Sequence, residues 1–151
     1  MMRARPCPPR SALHPSGPGA LPVPGCWRWA SYSAARAGDL VPVPSGQEVR
    51  FVEAIRGIPG PEGLTVRFRF LAPGIARDGG SVDFDTAAAD MEALCNSYAL
   101  PRSLGITGPR PGQIVISLSD IPVPFGMAAP EATQFFEGYA IDGDRCLWEP
   151  W

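Results

Sequence analysis

A chain of 151 residues, 45% of them hydrophobic, is long enough for one domain with a core and too apolar for wholesale disorder. Residues 1–37 carry five arginines and no acid, whereas residues 38–151 carry the other eight arginines and all fifteen acids, a net charge of −7. That acidity argues against binding a nucleic-acid backbone, which needs a positive surface, and no apolar run approaches the ~20 residues that span a bilayer.

The first 37 residues hold seven prolines, which remove backbone donors and block regular structure, so this segment reads as a disordered tail. Ala35-Arg36-Ala37 has the A-x-A form that signal peptidase cleaves, yet Pro22, Pro24, Gly25 and Arg28 break the apolar stretch a signal peptide requires. The tail is therefore a degenerate or misassigned export signal or a plain disordered extension. The folded part is placed at residues 38–151.

Residues 38–46 read as an extended lead-in, because alternating prolines exclude helix. Val49–Ile55 reads as a strand with Val49, Phe51, Glu53 and Ile55 on one face, followed by Gly- and Pro-rich turn residues 57–63. The clearest strand comes next: Leu64, Val66, Phe68, Phe70 and Ala72 alternate with Thr65, Arg67 and Arg69, which places the arginines in water. A helix capped by Asp83 or Asp85 then presents Ala87, Ala88, Met91, Leu94, Cys95 and Tyr98 as one stripe. Asp90, Glu92, Asn96 and Ser97 face away, and Pro101 stops the helix near Ala99. Gln113–Ser119 is a strand with Ile114, Ile116 and Leu118 inward and Ser117 and Ser119 outward. Thr133–Ile141 and Arg145–Trp148 form a terminal hairpin about Asp142-Gly143. The fold class is α+β: a mostly antiparallel sheet in the order β-β-α-β-β-β, with one helix packed on a face.

The chemistry of the sequence is sparse. His14 is the only histidine and lies in the tail, so no Ser-His-Asp or Cys-His machinery can be assembled in the domain. Neither a nucleophile elbow nor a phosphate-cradling loop occurs, and the two domain cysteines stand too far apart in sequence for a zinc cluster. No catalytic, cofactor or metal residue is assigned. Cys95 on the helix and Cys146 on the last strand form a disulfide if the helix covers that strand and the domain is exported; otherwise they are two buried thiols. Arg67 and Arg69, with Arg50 and Arg56, offer a basic face for an anion or acidic partner, or a solvated sheet face paired with Glu53 or Glu62. Trp148, Trp151 and Phe136 offer either core or an exposed patch for a partner. The acidic Asp78–Asp85 loop lacks calcium-loop spacing.

The segments GPEGLTVRFRFLAPGI, AAADMEALCNSYALPR, GPRPGQIVISLSDIPVPFG and PEATQFFEGYAIDGDRCLWEPW together resemble a small alphaproteobacterial family known only as a domain of unknown function. The likeness covers residues 41–151; members of that family begin with an ordinary export signal, which this chain lacks, and the difference points to a misassigned start. Some relatives carry the name acetolactate synthase. Such enzymes resemble this chain in neither length nor motif, because Asp142-Gly143-Asp144 sits on a hairpin turn with no asparagine downstream. The reading favoured is an exported, periplasmic or secreted, non-enzymatic domain that binds a protein or envelope component. The alternatives are a cytoplasmic location and a small enzyme or ligand-binding protein using Glu53, Asp120 or the arginine face.

Overall fold

The computed structural model describes residues 36–104 and 108–150. Residues 1–35 of the expected disordered tail, with Ala35 of the A-x-A pattern, Cys7, His14 and Cys26, and also Trp151, lie outside the described residues. Five strands, β1 (Arg50–Gly60), β2 (Gly63–Leu71), β3 (Gln113–Ser119), β4 (Gln134–Asp142) and β5 (Arg145–Glu149), form one sheet in the spatial order β1-β2-β3-β4-β5. The α+β class stands, but the sheet is mixed: β2 and β3 run parallel, while the other three pairings are antiparallel. Parallel neighbours need a crossover that returns the chain to the same end of the sheet. Residues 72–112 supply it and carry the helical segments α1 (Phe84–Leu94) and α2 (Leu100–Leu104).

The core lies between one face of the sheet and this helical layer. Phe68 and Phe70 of β2 and Ile114, Ile116 and Leu118 of β3 are buried under Met91, Leu94 and Tyr98. Tyr98 sits at the centre of an aromatic cluster, with ring centroids 5.3 Å from Phe51, 6.4 Å from Phe68 and 5.6 Å from Phe70. Its contacts with Phe68 and Phe70 are edge-on, the geometry favoured by ring quadrupoles.

Several local expectations are corrected. The first strand continues to Gly60, and the hairpin turns at Pro61-Glu62, so residues 57–60 are strand rather than loop. A bulge between Phe51 and Glu53 inserts one residue, which turns Glu53 and Ile55 to the face opposite Phe51 and brings Ala54 inward beside Phe68. The helix does not stop at Ala99. A π turn (Cys95–Ala99) replaces the α pattern there, with the Leu100 N–H donating to the Cys95 carbonyl. The turn lets the chain pass Pro101, which has no N–H to give. Arg102 and Ser103 side chains donate to the Tyr98 and Ala99 carbonyls, at 3.0 and 2.8 Å. The final hairpin turns on Gly143 and Asp144, with Gly143 at φ +61°, one residue later than expected.

The second face of the sheet is covered along β3. All seven residues of β3 are buried, including Ser117 and Ser119, because the β3–β4 connection folds back over them. Arg69, 9% exposed, donates to the Val123 carbonyl of that connection and pairs with Glu53, so it lies under the loop and not in water. Asp120 accepts from the Thr133 N–H at 2.7 Å and closes the same loop.

Asp90 was expected to face away from the core, yet it is fully buried. It accepts from the Ser45 N–H (2.9 Å), the Ser45 hydroxyl (2.5 Å) and the Gln47 amide (2.7 Å). These bonds tie the lead-in to the helix, while Val41 and Asp39 extend the β1 edge through bonds to Val49 and Phe51. Replacing Asp90 with alanine strands three donors and should lower stability by about 3 kcal/mol, read as a shifted denaturant midpoint. An unchanged midpoint would mean the lead-in is held by other contacts.

Candidate functional site

The helical layer and the β4–β5 hairpin are joined by a disulfide, Cys95–Cys146, with Cα atoms 6.1 Å apart. Asn96, in the same π turn, accepts from the Cys146 N–H at 2.9 Å, so β5 is fastened twice to one turn of helix. Asn96 therefore faces the sheet, not solvent as its helical phase implied. Closing a loop of this length contributes on the order of 4 kcal/mol in the chain-entropy picture.

Beside this junction a groove of about 420 Å³ opens between α1 and the hairpin. Its helix wall is Phe84, Ala88, Ala89 and Glu92; its sheet wall is Glu137, Tyr139 and Trp148. Phe84 and Phe135 meet edge-on at 5.2 Å and close one end. Small side chains at 88 and 89 leave the space open.

Glu137 is the residue that reading the sequence missed. It faces Ile116 across the β3–β4 pair, on the core side, and is only 7% exposed. Its sequence signal is a charge at an inward position, between Phe135 and Tyr139 in a period-2 strand. The Trp148 indole N–H donates to one of its carboxylate oxygens. Among the described residues it has no cationic partner; the two ion pairs there are Arg50–Glu48 and Arg69–Glu53.

Trp148 stands opposite Tyr139 on β4 and is 59% exposed. Phe136 is also exposed but lies on the other face of the sheet, opposite Ser117, so the two do not form one patch. There Phe136 and Phe125 flank Arg67, whose guanidinium carbon lies 5.6 and 5.7 Å from the two ring centres. Burial and the neighbouring Arg69 lower the Arg67 pKa. Its Nε has no hydrogen-bond partner, so aromatic faces stand where acceptors would otherwise be needed. The two arginines named from the sequence thus come together with Glu53 beneath the β3–β4 loop, away from the groove. Glu53 and Asp120, the candidate acids, are engaged with Arg69 and Thr133.

Among the described residues, no group of three or more His, Cys, Asp or Glu side chains is placed to hold a metal ion, and no helix is long and apolar enough to cross a membrane.

Both described tyrosines resist ionisation. Burial raises the Tyr139 phenol strongly, with Glu137 and then Glu92 adding to the effect; burial raises Tyr98 too, partly offset by Arg102. A phenol that ionises at its ordinary value of 10 in the unfolded chain but higher in the fold stabilises fully below pH 10. That contribution is lost as pH rises from 10 through the folded value. Alkaline titration by tyrosinate absorbance should therefore show Tyr98 and Tyr139 ionising above pH 10 together with unfolding. Tyr139→Phe should flatten the fall in stability. Ionisation of both near pH 10 in a folded protein would contradict this geometry.

No curated protein matches this chain, and no solved structure matches it. Residues 26–151 match a family model described as a family of unknown function (DUF6497), and the chain belongs to that family.

Proposed function

We propose that this protein is a disulfide-stapled, non-enzymatic binding domain of an oxidising compartment, periplasmic or secreted. Its binding surface is the groove beside Trp148, and its partner is a protein or envelope component. The observation that carries the reading is the Cys95–Cys146 bridge, which fixes the distance between the groove's two walls. Structural disulfides persist where thiols are not kept reduced. A prefixed cleft loses less side-chain and loop entropy on binding than one that must order itself.

The position of the acids supports binding over catalysis. Glu53 and Asp120 serve the β3–β4 loop, and Arg69 is spent on the same loop. Arg67 is flanked by Phe125 and Phe136. Of the surface residues read from the sequence, Trp148 lines the groove beside the bridge, whereas Arg69 lines a second cleft under the β3–β4 loop, where its guanidinium is already engaged. The folded domain starts, on this reading, near Gly38, whose N–H donates to the Phe51 carbonyl at 2.7 Å. The family match extends further upstream, to Cys26.

Fractionating cells that express the full chain tests this. The expected product lies outside the cytoplasm, with Cys95 and Cys146 resistant to thiol alkylation until reductant is added. A cytoplasmic protein with both thiols freely alkylated would sink the proposal.

A further inference from the structure

The groove has the chemistry of a cation site for which the described residues supply no cation. Glu137 is 7% exposed and faces the core side of the sheet, where a charge without a counter-charge is costly. One of its oxygens accepts from Trp148; the other has no donor among the described residues. Glu92 lines the same space, and its charge reaches Tyr139 together with that of Glu137. Among the described residues, no basic side chain lines the groove.

The remaining wall is aromatic. Tyr139 forms the floor, while Trp148 and Phe84 are 59% and 47% exposed at the rims. Two carboxylates without a third ligand do not make a metal site. Aromatic rings beside carboxylates instead suit an organic cation, whose charge is attracted both by ring quadrupoles and by the acids. The space of about 420 Å³ accommodates such a head group, and Ala89 on the exposed side of α1 leaves the entrance open.

We infer that this groove binds an alkylammonium cation, held between Trp148 and Tyr139 and neutralised by Glu137 and Glu92. The inference rests on the binding-domain reading above and names its ligand chemistry. The ammonium comes either from a free quaternary ammonium compound or from a lysine side chain of a partner polypeptide.

The test is a titration of oxidised, ¹⁵N-labelled full-length protein, following the Trp148 indole N–H resonance. The probes are choline chloride and N-acetyl-lysine amide, with sodium chloride as the ionic-strength control. The expected result is a saturable shift with at least one probe beyond the salt control. A response to choline assigns the free quaternary source, and a response to the lysine analogue assigns the side-chain source. Glu137→Gln keeps an oxygen for the Trp148 N–H and should weaken binding at least tenfold. Ala89→Leu fills the groove from an exposed position and should do the same, whether or not the first variant folds. No saturable shift with either probe, or unchanged affinity in Ala89→Leu, overturns the inference. A null titration on oxidised, extracytoplasmic protein removes the ligand class alone; a reduced cytoplasmic protein removes the binding-domain reading alone.

Discussion

One helical layer must cover a five-stranded sheet, and the two do not match in width. Five strands span roughly 19 Å between their outer axes, whereas a helix with its side chains is only about 10 Å across. The chain meets the deficit differently on each side. Towards β1, the lead-in wraps the edge and is anchored on buried Asp90, while Tyr98 fills the space with Phe51, Phe68 and Phe70. Towards β5, no further element arrives among the described residues. The bridge from Cys95 to Cys146 holds the strand to the helix at one level, and beyond it the groove stays open. The feature most suggestive of function is thus where the covering runs out.

The opposite face has its own cover. The β3–β4 connection lies over Val115, Ser117 and Ser119, pinned by Arg69 to the Val123 carbonyl and wedged by Phe125 against Arg67. Arginine suits this place because its planar cation can hydrogen-bond along one edge and stack on rings with its face. The positive charge on β2 therefore belongs to the architecture of the loop, and Glu137, on the other side of the sheet, has no ion-pair partner among the described residues.

What was legible in the sequence was local. The alternation of Leu64, Val66, Phe68 and Phe70 and the stripe of Met91, Leu94 and Tyr98 each follow from one period, and both led to the correct inner faces. The pairing of Cys95 with Cys146 was one of two open readings and is the one the structure contains. What was missed depends on partners distant in sequence. Asp90 has the phase of an outward residue until Ser45 and Gln47 arrive from the lead-in. Ser117 and Ser119 look solvent-facing until a loop fifty residues from β2 closes on them through Arg69. The parallel β2–β3 pairing has no residue signature, only a long crossover. Pro101 signalled a helix end, but a π turn with side-chain donors absorbed it. Of the site, Trp148 was visible as an aromatic near the end of the chain; Glu137 was overlooked among bulky neighbours.

The account centres on the bridge holding β5 so that Trp148 stays on Glu137 and the groove keeps its walls. Local opening of such a junction is measurable by hydrogen exchange. The most direct measurement is the exchange rate of the Trp148 indole proton in oxidised and reduced protein, alongside the backbone amides of β2 and β3. The account predicts that reduction removes protection at Trp148 and Cys146 while Phe68 and Ile116 remain protected. Equal protection of the indole proton in both states would contradict it.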